Sequence, residues 1–354
     1  MQKFQTALLV LAVAMAVGAS RPVPLPPTAP QVTPPPFTGE LSVMTYNIHG
    51  LPWPIAWGRP AQLARIAATL RDMRHASRNP HIVVLQEAFT QDAQSIGRAA
   101  GYRYIAQGPS ADMAGVAVPA RTGIPLADGR SWLKGEDMGK YVGSGLQILS
   151  DYPITGVRRM AYPALACAGY DCLANKGALM ASIQLPDRPD QIDIVTTHLN
   201  SRRASEVSDD RSFEAYRLQI ACLTAFIRQA HNPAHALIVA GDFNVGKAAD
   251  RRNILMGAAE KRWVANGDIV RDAYDAASRG GIRLSPDAAF SQHRAKDWEF
   301  YAGGKATDIS LIKIDVPFGH AADGSMLSDH VGYAALFKLS RRLGSPTNPA
   351  QSKA

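Results

Sequence analysis

A short apolar run that ends abruptly in two polar side chains constrains this chain more than any other feature. Residues 236–246 have the sequence Ala-Leu-Ile-Val-Ala-Gly-Asp-Phe-Asn-Val-Gly, and the run at 237–239 predicts a strand buried on both faces. Asp242 and Asn244 follow this run with one residue between them, so an extended backbone directs both side chains to the same side. A carboxylate and an amide oxygen suit a hard cation such as Mg²⁺. The alternative is a plain turn, since Gly, Asp and Asn favour turns.

Both ends of the chain are predicted to lie outside the folded core. Residues 1–19 combine Lys3, an apolar run too short to span a bilayer and small residues before a cleavage site near Ala19, which indicates a secretory signal peptide. The proline-rich residues 20–38 predict an extended linker, and the polar residues 341–354 predict a tail. We therefore expect one folded domain at 39–340, without a transmembrane helix, in a secreted or periplasmic protein that is a monomer.

The net charge limits the possible binding partners, and the cysteine content indicates the redox compartment of the protein. The formal net charge of +8 favours polyanionic partners, namely nucleic acid, an anionic lipid surface or a phosphate-bearing substrate, and does not choose among them. Cys167 and Cys172 are close enough in sequence to form a small disulfide in an oxidising compartment. Cys222 lies in an apolar helical stretch and is expected to be a buried thiol.

The remaining pattern predicts strands in both halves of the chain, with helices between them. Two sheets packed together and flanked by helices would accommodate this order. Residues 248–305 give no clear pattern beyond short helices and loops. Strands are predicted at 41–48, 81–86, 145–150, 176–185, 192–197, 309–314 and 331–337, and helices at 61–74, 92–100 and 208–229.

Polar residues of the types used in catalysis end several of these predicted strands. Each one alone has an ordinary structural explanation, such as a turn cap, a surface carboxylate or a hydrogen-bonded histidine. Their repetition at strand ends indicates a shared site. The residues are Asn47, Glu87, His198, Asp242 with Asn244, and Asp329 with His330, while Asp308 opens a further strand.

Six motifs in order resemble those of the endonuclease/exonuclease/phosphatase family. The family contains deoxyribonuclease-I-like nucleases, inositol polyphosphate phosphatases and neutral sphingomyelinases, and the resemblance extends over roughly 41–337. It implies a four-layer α/β sandwich of two packed, mainly antiparallel sheets flanked by helices, with Mg²⁺-dependent cleavage of a phosphoester P–O bond. The motifs are Met-Thr-Tyr-Asn-Ile-His-Gly at 44–50, Leu-Gln-Glu-Ala at 85–88, Thr-Thr-His-Leu at 196–199, Gly-Asp-Phe-Asn at 241–244, Thr-Asp-Ile at 307–309 and Ser-Asp-His at 328–330.

The resemblance also implies the metal ligands. Glu87 would be the main Mg²⁺ ligand, with Asn47 beside it. Asp242 and Asn244 would orient the attacking water or bind a second metal.

The closing motif and the histidines would supply the proton chemistry. His330 matches the family's general base, with Asp308 as its orienting carboxylate, and Asp329 would complete the metal side together with His330. His198 would protonate the leaving oxygen or stabilise charge on the phosphorane, since imidazole suits both tasks. Either Asp242 or His330 could take the proton from water.

Two stretches bear on the substrate. The loop at 167–177 resembles bacterial sphingomyelinases, and Asn175 and Lys176 within it are predicted to bind substrate phosphate. Trp53 and Trp57 could lie at a lipid interface, enclose a choline headgroup or belong to the core. This favours a phospholipid substrate such as sphingomyelin, cleaved to ceramide and phosphocholine at a membrane surface.

One stretch departs from the sphingomyelinase pattern. Bacterial sphingomyelinases carry a long aromatic-tipped hairpin between the last two motifs, whereas residues 308–329 are short here and offer only the apolar tip at 316–318. Docking on a membrane would then use another surface, such as residues 51–57. Two alternatives remain: an exported Mg²⁺-dependent nuclease, and a non-catalytic phosphate- or lipid-binding module on the same fold.

Overall fold

The computed structural model describes residues 36–118, 130–188, 191–264 and 269–342. The predicted signal peptide, most of the linker and nearly all of the tail lie outside these residues. Within them, no helix combines the length and the apolar character needed to cross a membrane.

The described residues form twelve β-strands and six α-helices. The strands are β1 Glu40–Asn47, β2 Ile82–Gln86, β3 Tyr104–Gln107, β4 Gln147–Ser150, β5 Ile154–Ala161, β6 Gly177–Gln184, β7 Gln191–His198, β8 Ala236–Asp242, β9 Arg271–Asp272, β10 Asp297–Ala302, β11 Thr307–Phe318 and β12 Gly332–Arg341. The helices are α1 Arg59–His75, α2 Gln91–Ala99, α3 Asp209–Ala230, α4 Ala249–Arg262, α5 Ala273–Arg279 and α6 Pro286–Arg294.

The strands form two six-stranded sheets of mainly antiparallel pairs. The order is β11-β12-β1-β2-β4-β3 in one sheet and β5-β6-β7-β8-β10-β9 in the other. Each sheet contains one parallel pair, β1 with β2 and β7 with β8. A helix connects the two strands of each pair, as a parallel pair requires. The predicted fold class is confirmed.

Three apolar interfaces produce the four layers. The strand at 236–242 shows how one segment serves two of them. Leu237 and Val239 face a cluster shared with α3 and α4, while Ile238 and Ala240 face the opposite sheet. A third cluster packs α1 and α2 against the outside of the first sheet. The strand is thus buried on both faces, as its uninterrupted apolar run predicts.

Residues 248–305, which the sequence pattern left almost unassigned, complete the second sheet. They include three helices, the two-residue β9 and the buried strand β10. Strand β10 pairs antiparallel with β8, and the register places Asp297 opposite Asp242. This pairing brings an unpredicted carboxylate to the end of the central strand.

Candidate active site

The carboxyl ends of the two parallel pairs point to one end of the sandwich. Strands β1, β2, β7 and β8 end at or beside Asn47, Glu87, His198 and Asp242. The antiparallel neighbours β10 and β12 begin at this same end, next to Asp297 and His330. Seven polar side chains from six chain segments therefore meet in one pocket, namely Asn47, Glu87, His198, Asp242, Asn244, Asp297 and His330.

The amide of Asn47 joins the two sheets at the centre of this pocket. Its Nδ2 donates to Glu87 Oε1 at 2.9 Å and to Asp242 Oδ2 at 3.0 Å. Its Oδ1 accepts from the backbone N–H of His49 at 3.0 Å, which fixes the orientation of the amide. Asn47 thereby holds two carboxylates from opposite sheets beside each other.

Glu87 has the properties of a metal ligand. It has a left-handed backbone conformation with φ of 59°, which is uncommon for a residue other than glycine and is often found at functional sites. Burial raises the pKa of its carboxyl to about 7, against the lowering effect of the hydrogen bond from Asn47. Its buried Oε2 has no hydrogen-bond partner among the described residues. A carboxylate oxygen left free beside a second carboxylate fits a divalent cation.

His330 is held between two aspartates. Its Nδ1 lies 2.8 Å from Asp297 Oδ2, and its Nε2 lies 3.6 Å from Asp242 Oδ2. Burial alone would lower the pKa of the imidazole, but the charges of Asp297 and Asp242 outweigh it and raise that pKa to about 9. Asp297 accepts a hydrogen bond from Nδ1–H, so it fixes the ring and leaves Nε2 facing the pocket. The same three side chains are close enough to hold a cation.

His198 differs from His330 in charge. Its Nε2 lies 3.5 Å from Asp242 Oδ2, and its buried Nδ1 has no partner within the described part of the chain. Burial, together with the charge of Lys176, lowers its pKa to about 3. His198 is therefore neutral at pH 7 and acts as a hydrogen-bond donor through one ring N–H.

Asn244 and Asp329 lie at the edges of the pocket. Asn244 has a φ of 48°, and its Nδ2 donates to the carbonyl of Leu199 at 3.0 Å. Asp329 is 56 % exposed in its side chain and lies 3.5 Å from His49 Nδ1. The neighbouring hydroxyl of Ser328 donates to the carbonyl of Asn47 at 2.7 Å, which ties the closing motif to β1.

The prediction that Asp308 orients His330 is wrong. In the antiparallel β11–β12 hairpin, Asp308 pairs with Ser340, near the far end of β12 from His330. Its exposed carboxylate accepts a hydrogen bond from Arg342 Nε at 2.8 Å. The carboxylate that contacts His330 Nδ1 is that of Asp297 instead.

The structure also corrects the predicted substrate contacts of Asn175 and Lys176. Asn175 is buried, and its Nδ2 donates to the carbonyls of Ser110 at 2.7 Å and Met113 at 2.9 Å. Lys176 is buried as well, with Nζ 2.9 Å from Asp171 Oδ1 and 3.0 Å from the carbonyl of Leu199. These partners occupy both side chains, which stabilise the loop. Lys176 acts on the pocket indirectly, through its charge near His198 and through the carbonyl of Leu199, which also accepts from Asn244. The preceding Cys167–Cys172 pair forms the disulfide that the sequence allowed.

Sequence reasoning missed Asp297 and its neighbour Lys296. A signal was present, because residues 297–302 place a carboxylate directly before an aromatic-rich run, Trp-Glu-Phe-Tyr-Ala. An aromatic-rich run favours a strand, and a carboxylate at its start resembles the other strand-end residues. The surrounding short helices obscured it.

The fold and the pocket define a phosphoesterase. Two packed sheets carry amide, carboxylate and imidazole groups at their strand ends, where charge on a phosphate oxygen can be neutralised and a water deprotonated. The sequence pattern of the Endonuclease/Exonuclease/phosphatase family matches residues 44–257, and the chain belongs to this family. No curated protein matches the chain.

Similar solved structures include both lipid- and nucleic-acid-related proteins. Sphingomyelinase C from Streptomyces griseocarneus is 19% identical with a TM-score of 0.53, covering 84% of this chain and 98% of its own. Beta toxin from Staphylococcus aureus, in a mutant with bound magnesium ions, is 16% identical with a TM-score of 0.53, covering 84% of this chain and 99% of its own. D. rerio TDP2 in complex with a single-strand DNA product is 15% identical with a TM-score of 0.53, covering 84% of this chain and 98% of its own. At these identities the likeness concerns the fold.

Proposed function

We propose that this protein is a secreted Mg²⁺-dependent phosphodiesterase of sphingomyelinase type, which hydrolyses a phospholipid such as sphingomyelin to ceramide and phosphocholine. The observation that carries the proposal is an exposed apolar loop at the mouth of the pocket. The similarity in fold to a sphingomyelinase C is consistent with it.

The loop at residues 51–57 presents three large apolar side chains to solvent. Trp53 is 63%, Ile55 54% and Trp57 74% exposed. A soluble surface seldom exposes such a cluster without a binding role. Ile55 and Trp57 share a cavity of about 430 Å³ with residues of the pocket, including His49 and Asp329. A lipid whose tails contact this loop would have its phosphate close to the pocket.

The hairpin between the last two motifs does not supply a comparable surface. Phe318, which the sequence placed at an apolar tip, is buried at the end of β11 and stacks on Tyr46 with a centroid distance of 4.9 Å. Between 308 and 329 no large apolar side chain is exposed in the described structure. Of these two surfaces, the 51–57 loop is the one that we assign to membrane contact.

The residues of the pocket divide the chemistry. Glu87 and Asp242 would hold Mg²⁺, with Asn47 bracing both, and the ion would neutralise charge on the phosphate. In its neutral form, with Nε2 unprotonated, His330 would take the proton of the attacking water while Asp297 holds Nδ1. Neutral His198 would donate a hydrogen bond to an oxygen that gains charge as the P–O bond breaks.

A parallel substrate assay tests the proposal. The mature protein is incubated with Mg²⁺ and either sphingomyelin vesicles, phosphatidylcholine vesicles, lysolipid or DNA. We expect phosphocholine release from sphingomyelin to be the fastest reaction. Faster DNA cleavage that falls steeply with added salt would replace this proposal with the nuclease alternative, which the net charge of +8 favours. Hydrolysis of none of these by an enzyme that binds Mg²⁺ would favour a non-catalytic binding module.

A matched pair of isoleucines tests the loop. Ile55→Ser and Ile269→Ser change residues of similar exposure, 54% and 61% respectively. Ile269 lies just before β9, which pairs with the end of β10 that is away from Asp297 and the pocket. We expect Ile55→Ser to slow hydrolysis of vesicles about threefold and Trp53→Ala with Trp57→Ala about tenfold or more, since buried apolar area drives membrane binding. Ile269→Ser should have no effect, and all variants should cleave soluble bis(p-nitrophenyl) phosphate normally. Equal losses for both isoleucine variants would contradict the assignment of the loop.

A further inference from the structure

A lysine that no motif includes lies inside the pocket. Lys296 is half-buried and follows α6 directly before β10. Its Nζ lies 3.4 Å from His330 Nε2, the nitrogen that faces the pocket. Among the described residues, no carboxylate forms an ion pair with Lys296 Nζ, since no carboxylate oxygen lies within 4.0 Å of that nitrogen.

The backbone fixes the position of Lys296. The carbonyl of Lys296 accepts from the N–H of Phe243 at 2.8 Å, and the carbonyl of Ala295 accepts from Gly246 at 2.9 Å. Ala295 has a φ of 49°, which turns the chain between α6 and β10. The lysine is thus held beside the Asp242–Asn244 segment by backbone hydrogen bonds.

The surroundings of the ammonium are suited to an anion. A half-buried ammonium is costly unless it is paired with negative charge. The charges of Asp242, Asp297 and Asp329 act on Lys296 without a direct ion pair, and its hydrogen-bonding contact is to a nitrogen of His330. The carboxylates of the pocket already have partners, Asp297 with His330 and Asp242 with Asn47. An oxygen of a phosphate could accept from Lys296 Nζ and lie next to His330 Nε2.

We propose that Lys296 is a catalytic residue that donates a hydrogen bond from Nζ to a non-bridging oxygen of the scissile phosphate. This inference rests on the proposed phosphodiesterase activity, and it is independent of which alcohol the phosphate carries. The contact becomes stronger as negative charge accumulates on that oxygen in the transition state, so Lys296 acts mainly on turnover.

Kinetics on a generic diester test this contact. With Mg²⁺ and bis(p-nitrophenyl) phosphate, we expect Lys296→Met to lower kcat about 100-fold, in line with the loss of one oxyanion donor. Lys296→Arg keeps the charge and should retain more activity than Lys296→Met. Lys338→Met, which removes an exposed lysine from β12, controls for net charge and should match the wild type. A kcat for Lys296→Met within twofold of the wild type would overturn the proposal.

Phosphate binding supplies a second measurement that does not need turnover. Calorimetric titration of the Mg²⁺-loaded protein with inorganic phosphate should give about tenfold weaker binding for Lys296→Met and unchanged binding for Lys338→Met. If phosphate binding is unchanged and only the pH profile moves, Lys296 merely sets the ionisation of His330 and the proposal is wrong. Absence of sphingomyelin hydrolysis, with these effects present on the generic diester, would overturn the lipid substrate and leave Lys296 assigned.

Discussion

Two buried carboxylate–histidine clusters lie at opposite ends of strand β7. At the pocket end, His198 closes the strand, and Asp297 holds His330 nearby. Asp193 lies five residues earlier in β7, about 16 Å away along an extended strand. It contacts two further histidines, His231 and His235. The clusters share residue types and burial, so these properties alone do not distinguish a site from a structural element.

Satisfaction of hydrogen bonds distinguishes the two clusters. Asp193 accepts from His231 Nδ1 at 2.9 Å, His235 Nδ1 at 3.0 Å, Ser182 Oγ at 2.7 Å and the backbone of Asn232 at 3.0 Å. Burial opposes ionisation of Asp193, but these donors outweigh it and hold the pKa of its carboxyl far below the usual range. The pocket instead leaves Glu87 Oε2 and His198 Nδ1 without partners in the described structure. Of these two clusters, the one with unsatisfied groups is therefore the one where chemistry is expected.

Removal of the free carboxylate should have the largest effect on turnover. We expect Glu87→Gln to lower hydrolysis about 1,000-fold or more and to abolish the rise in melting temperature caused by Mg²⁺. The substituted amide oxygen can still accept from Asn47, so the metal-free variant should melt no lower than the wild type. Undiminished turnover in the folded variant would remove Glu87 from the site. His330→Ala should cause a loss of similar size without unfolding.

The orienting carboxylate should rank second. We expect Asp297→Asn to lower kcat about 100-fold or more, because the amide can also donate to Nδ1, so it no longer enforces the Nδ1–H tautomer of His330 or stabilises the imidazolium. The pKa of His330, about 9 with Asp297 present, should fall, so the activity should reach its plateau at lower pH. Asp308→Asn is the matched control and should be silent, since Asp308 pairs with Arg342 at the far end of β12. Loss of activity in Asp308→Asn together with normal activity in Asp297→Asn would restore Asp308 as the partner of His330.

The contrast between Asp297 and Asp308 indicates what the sequence can predict. Strand ends at Asn47, Glu87, His198 and Asp242 were predictable, because each follows a predicted strand and lies in one of the ordered motifs. The role of Asp297 was not predictable, because its position beside Asp242 depends on the register between β8 and β10. Tertiary packing sets this register across a stretch of short helices.

The sequence also did not predict the solvent exposure of several side chains. Lys176 is buried in a turn-like stretch, and Phe318 folds back on Tyr46, whereas Trp53 and Trp57 face solvent. Lone charged and aromatic residues lack the periodicity that identifies a buried face. Their environment is decided by neighbours that are distant in the chain.

The pH dependence of metal binding should show a moderate effect. Burial raises the pKa of Glu87 to about 7 in the metal-free protein, and a carboxylate must lose its proton to bind a cation. The dissociation constant for Mg²⁺, measured by calorimetry, should therefore rise about tenfold per pH unit below 7 and level off above it. The Glu87→Gln variant should show no measurable binding of Mg²⁺ at any of these pH values. A constant affinity between pH 5 and pH 7 would mean that Glu87 is not the ligand.

The smallest effect on turnover is expected at the satisfied cluster. Asp193→Asn should leave kcat within about twofold of the wild type but lower the free energy of unfolding by about 3 kcal/mol, because a buried partner of two histidines is removed. The pKa of Asp193 is depressed in the folded state, so the stability advantage of the wild type should be full above about pH 4 and shrink as the pH falls further. Denaturant unfolding at several pH values measures both. If Asp193→Asn lost activity like Asp297→Asn while keeping its stability, hydrogen-bond satisfaction would not separate the structural cluster from the catalytic one.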